Sequence, residues 1–147
     1  MTKLIPEILG EFDKCKKKQQ RVDVLNKYST HPHFPWVMDF TFNDRYEFLL
    51  PQDGDFPEYK EDDSPIGLSP QNLGDVLKRV YLFLKGHPGA NGIPQIKRET
   101  IFLEMMETIH PSEVEVLKCM VRKKSPTKFL TKALLEEVYP KMFNKKE

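Results

Sequence analysis

Few side chains in this sequence have the type and spacing to do chemistry. His31 and His33 stand two positions apart beside a proline. Such a pair can hold a metal weakly, but no third donor lies at a fixed offset to complete a tetrahedral set, so no metal is expected. Glu61, Asp62 and Asp63 line up carboxylates without the alternating ligands, sixth-position glycine and closing glutamate of a calcium loop. Gly86, Gly89 and Gly92 lack both the Lys-Ser/Thr ending of a phosphate loop and the dinucleotide fingerprint, and read as a helix connection. Cys15 and Cys119 share no metal spacing and have no activating neighbour, so both read as free, packed thiols in a reducing compartment. Nucleophile elbows, HExxH pairs and paired thiols are missing from the sequence. The expectation is a protein that binds and does not catalyse, with no cofactor and no small-molecule substrate.

Charge is the stronger signal. A net charge of +1 over 147 residues conceals segments of +3 (1–30), −7 (31–68), +1 (69–110) and +4 (111–147). Both ends are basic, and if they meet in the fold they make a face suited to phosphates. Within the second basic segment, Arg122, Lys123, Lys124 and Lys128 lead into a helix start at Thr131 and Lys132. Unpaired amides, the helix dipole and flexible cationic side chains all favour an anion in such a place. These five residues are the candidate nucleic-acid contacts. The acidic stretch 51–68, with three prolines and two glycines, is a long loop in which aromatics alternate with carboxylates. Phe56, Tyr59, Asp62 and Asp63 are its candidate partner contacts, since acidic segments of this kind dock on basic surfaces.

The elements that must position these residues follow from periodicity. Apolar stripes predict helices over 3–13, 15–28, 31–42, 95–109 and 113–123, with a last short helix capped by Thr131 and ending before Pro140. Ser69-Pro70 reads as the cap and first position of the clearest helix, running to about Lys85 with Leu73, Val76, Leu77, Val80, Tyr81 and Leu84 inward. Residues 43–50 read as extended. The fold class is therefore all-α: a single compact domain spanning 1–147, of six or seven helices, with at most a short β element. The expected core is Leu9, Phe12, Leu25, Trp36, Phe40, Leu77, Tyr81, Phe102, Met106, Leu117 and Leu135. No apolar run approaches the roughly 18 residues that a membrane span needs, and no secretory pattern opens the chain, so a cytoplasmic protein with no membrane partner is expected.

In order along the chain come LIPEILGEF, KKKQQRVDVLNKY, an aromatic segment, LGDVLKRVYLFL, and the pair EVEVLKCMVRKK and LTKALLEEVYPKMF. This order resembles the helical N-terminal DNA-binding domain of ATP-dependent DNA ligases of tailed phages, most closely over residues 113–143. The resemblance implies a sequence-tolerant grip on the duplex backbone. It does not extend to the catalytic domain. The Lys-x-Asp-Gly adenylation motif does not occur: Asp53-Gly54 has Pro51 where the lysine should stand. A second departure is Ser125-Pro126, where the ligases place glycine to let the backbone approach a phosphate. The whole chain also resembles short proteins carried by tailed phages, which bring no activity with them and imply the host cytoplasm. Duplex DNA is the first expected partner. A host or phage protein, met by an adaptor or inhibitor through the acidic loop, is the alternative, and a virion structural role the third.

Overall fold

A computed structural model describes residues 4–50, 59–65, 68–127 and 130–143. Among them, eight α-helices and two 3-10 turns follow in order: α1 (Ile5–Asp13), α2 (Lys18–Lys27), α3 (Phe34–Phe42), α4 (Leu73–Leu77), a 3-10 turn (Val80–Phe83), α5 (Pro88–Asn91), α6 (Gln95–Thr108), α7 (Pro111–Val121), α8 (Lys132–Val138) and a second 3-10 turn (Pro140–Phe143). The expected all-α architecture is the observed one. No helix among the described residues is long and apolar enough to cross a membrane.

Helix α7 is the hub, packing on α1, α3 and α4. Its buried Val114, Leu117 and Val121 recur at three and four residues, and Val116 and Met120 widen the stripe, so apolar surface faces several neighbours at once. The partners answer in the same period: Ile5, Ile8, Leu9 and Phe12 on α1, and Phe34, Val37, Met38 and Thr41 on α3. Each fully buried apolar side chain of this size contributes about 1.5–3 kcal/mol. The two chain ends are joined where α2 packs on α8: Lys18 Nζ lies 2.9 Å from Glu137 Oε1, and the Tyr139 hydroxyl donates to the Leu25 carbonyl.

Several boundaries and faces differ from expectation. The helix expected over 3–13 starts at Ile5 after Leu4. The helix expected over 70–85 is broken. Asn72, not Ser69, caps α4, its side chain accepting from the Asp75 amide, and α4 stops at Leu77. The 3-10 turn that follows buries Val80 and Phe83, three residues apart, and turns Tyr81 outward to 40% exposure. Trp36 is likewise 37% exposed, resting on Phe40 at a ring distance of 5.7 Å, and Ile96 is 78% exposed. The other nine residues of the expected core are buried. Helix α7 is capped by His110, whose Nδ1 accepts the Ser112 amide, and not by Ser112. The extended stretch contracts to one antiparallel bridge, Phe48 with Leu84.

The glycine-rich connection has a structure of its own. Gly86 has φ +85°, a left-handed conformation that favours glycine. Arg98, buried on α6, donates to the carbonyls of Ala90 (2.8 Å) and Ile93 (3.1 Å), which fixes α5 against α6. This buried arginine answers carbonyl oxygens left over at a short helix's end.

Candidate nucleic-acid interface

The unit α7–turn–α8 is the expected phosphate grip, and its geometry redistributes the cations. Helix α7 ends in a Schellman motif: the Lys124 amide reaches Cys119 O (2.9 Å) and the Lys123 amide reaches Met120 O (3.2 Å). Lys123 occupies the left-handed position, φ +58°, where glycine is usual. Its ammonium explains the choice. It donates to Phe40 O (2.7 Å) and Asn43 O (2.6 Å) at the carbonyl end of α3, and lies near the rings of Tyr46 and Phe48. Burial pushes the Lys123 pKa down to about 8, against the pull of Asp44 and Asp39. Lys123 is thus an internal tie and is removed from the set of surface phosphate contacts.

The remaining expected contacts are scattered. Lys132 is held by Asp44 at 2.6 Å. Arg122 is half-buried, Lys124 is exposed, and Lys128 lies outside the described residues. The turn itself is closed by Ser125, whose hydroxyl lies 2.6 Å from both Thr127 O and Leu130 O and donates its one proton to one of them. Thr131 caps α8 as expected, accepting the Leu134 amide at 3.2 Å. The α2–α8 contact brings the two basic segments together. Lys14, Lys16 and Lys17 stand exposed before α2, where in sequence they form only a lysine run that opposes the helix dipole.

The acidic segment is partly tied down. Tyr59 packs at the core edge beneath the Lys118 ammonium, 5.0 Å from the ring centroid. Asp62 accepts from the hydroxyls of Ser69 and Ser64, which hold its carboxyl below the usual range. Asp63 is exposed, and Phe56 lies outside the described residues. His31 shapes the backbone: its Nδ1 accepts the amides of His33 and Phe34, both at 3.0 Å, where α3 begins. No group of three metal-ligating side chains is assembled among the described residues.

One residue has no signal in the sequence at all. Glu113, only 2% exposed, sits in the first turn of α7, and its Oε2 accepts the Leu73 amide at the start of α4 (3.2 Å). Burial, with Asp75 adding to it, pushes its carboxyl up to about 7 despite that hydrogen bond. Only the tertiary pairing of α4 with α7 marks it out.

No curated protein and no solved structure matches the chain. A family profile does, over residues 8–127, which span α1 to α7 and the basic turn as far as Thr127. The chain belongs to that family, a family of unknown function designated DUF6433.

Proposed function

We propose that this protein is a non-catalytic module that holds duplex DNA by its backbone, with little dependence on sequence. The observation that carries this reading is the packing of α2 on α8, which brings one helix of the +3 segment against one helix of the +4 segment. On this reading the phosphate contacts are Lys14, Lys16 and Lys17 before α2, with Arg122 and Lys124 after α7. Lys123 and Lys132 serve the fold. The ligase-like order of helices supports the same partner without implying ligation, since the adenylation motif does not occur. Cations that meet phosphates release condensed counterions, so affinity falls steeply with salt.

The test is fluorescence anisotropy with a labelled random-sequence duplex at several salt concentrations. Reversing Lys14, Lys16 and Lys17 to glutamate is expected to cut affinity at least tenfold and flatten the salt slope; R122E/K124E is expected to do the same more weakly. Wild-type protein that shows no salt-dependent binding would sink the proposal. The competing reading is a phage-encoded adaptor or inhibitor that docks on a basic protein surface through the acidic segment. The fixing of Tyr59 and Asp62 on the body of the fold, with Asp63 exposed beside them, favours it. Partner capture that survives D62N/D63N would count against that alternative.

A further inference from the structure

Glu113 is an acid buried within the basic segment 111–147, and its surroundings set an unusual condition on the fold. Its carboxyl caps α4, taking the Leu73 amide, inside the contact between α4 and α7. Two adjoining clefts, of about 90 and 150 Å³, meet over it and share Leu4, Asn72 and Glu113. Among the described residues, no lysine or arginine lines either cleft. Every other titratable group facing Glu113 there is an imidazole or a carboxyl: His31 and His33 ahead of α3, His110 ahead of α7, and Asp75 on α4.

The hydrogen bonds of these groups are spent on helix starts. His31 Nδ1 accepts the amides of His33 and Phe34, and His110 Nδ1 accepts the amide of Ser112. A nitrogen that accepts a backbone N–H must give up that bond to take a proton. Both nitrogens thus serve the start of a helix, α3 or α7, and His110 Nδ1 also lies 2.7 Å from the Ser112 hydroxyl. His33 is pressed on α4 at Gly74, where a Cβ would come within 2.3 Å of Nε2. Burial and the adjacent His31 hold its pKa down. Asp75 is a like charge, already engaged in capping α4 through the Asn72 amide at 3.1 Å. An ionised Glu113 would thus stand buried, beside a second carboxylate, without a cation.

We propose that the joint between α4 and α7 is held by a proton on Glu113, and that α4 loosens from α7 as pH rises and that carboxyl ionises. The neutral carboxyl keeps the Leu73 bond at little electrostatic cost. The carboxylate draws water into the two clefts, and the five-residue α4, too short to persist alone, frays first. Burial and Asp75 place this titration near 7, so the joint responds to modest changes around neutral pH. This inference does not depend on what the protein binds.

The test uses the whole chain, by amide hydrogen exchange and by NMR of side-chain carboxyls. Between pH 6 and 8 the amides of Leu73, Val76 and Leu77 are expected to lose up to about tenfold in protection relative to Phe102 and Met106 on α6, beyond the intrinsic effect of pH. Glu113→Gln, which keeps the acceptor without the charge, is expected to abolish that differential loss. Equal loss in wild type and E113Q would overturn the proposal, as would an α4 that is unprotected in E113Q at every pH. If E113Q fails to fold, the wild-type carboxyl decides: a Glu113 resonance titrating between pH 6 and 8 supports the proton-held joint, and one titrating near 4.5 removes it.

Discussion

At its first turn α7 buries Glu113 against the start of α4; just past its last turn Lys123 reaches the end of α3. Both side chains meet a helix terminus of complementary polarity, a carboxyl on an amide and an ammonium on two carbonyls. Their electrostatic surroundings are opposite. Lys123 has Asp44 and Asp39 nearby and two aromatic rings beneath it, so it remains charged at neutral pH although burial lowers its pKa to about 8. Glu113 has Asp75 nearby, a like charge, and its carboxyl is pushed up to about 7. A buried charge is tolerated where a second charge of opposite sign and short hydrogen bonds replace water, and is otherwise given up by titration. One end of α7 is an ionic tie that stays charged at neutral pH; the other holds only while a proton is bound.

The largest expected effect falls at the Glu113 end. Its folded-state pKa is raised from an ordinary 4.5. Below that value both folded and unfolded chains are protonated, and the group takes nothing from stability. Between about pH 4.5 and 7 the unfolded chain ionises while the fold keeps its proton, so stability falls as pH rises, and it levels off above the folded value. The full span corresponds to about 3 kcal/mol. Glu113→Gln is therefore expected to leave urea unfolding almost unchanged at pH 4 and to stabilise the protein by about 3 kcal/mol at pH 8. A Gln variant that destabilises equally at both pH values would break the contrast between the two ends.

At the other end the charge is the useful part. Lys123→Ala removes two hydrogen bonds from an ionised donor, at a cost of about 2–3 kcal/mol, and leaves the left-handed backbone strain unchanged. Lys123→Gly loses the same bonds and relieves the backbone, so it is expected to be less harmful than alanine by about 1 kcal/mol. Urea unfolding of the two variants at pH 7 separates these contributions. Equal stabilities would mean that the left-handed turn is not under strain.

How far this contrast is legible in the sequence depends on period and on distance. Six of the eight helices among the described residues, α1, α2, α3, α6, α7 and α8, are readable because 3.6-residue stripes such as Ile5, Ile8, Leu9 and Phe12 carry their own signal. The stretch 70–85 misleads because Leu77, Val80 and Tyr81 fit that period. The buried set is instead Leu77, Val80 and Phe83, a spacing of three, and Leu84 leaves the helix to bridge to Phe48. Trp36 misleads by type, since an aromatic is usually core, but Phe34, Val37, Met38 and Thr41 already fill the inward stripe of α3. Of the candidate site, the joining of the basic ends is legible as a condition and Thr131 as a cap. The separate duties of Lys123 and Lys132 are not, because they depend on which carbonyl or carboxylate stands opposite, 80 to 88 residues away in the chain.

The smallest expected effect sharpens the comparison within that one basic segment. Lys132 pairs with Asp44 at a shorter distance, 2.6 Å, than a typical charge-assisted bond, yet its side chain is 40% exposed and that of Asp44 71%. Water screens such a pair and its two side chains lose entropy in holding it, so net gains are usually below about 1 kcal/mol. Lys132→Ala is expected to lower the urea midpoint slightly at low salt and not measurably in roughly 0.5 M salt. Lys123→Ala should keep most of its cost in that salt, because burial shields its carbonyl contacts from mobile ions. The two lysines stand close together in one basic segment and look alike in sequence; salt is the variable that tells an internal tie from a surface pair.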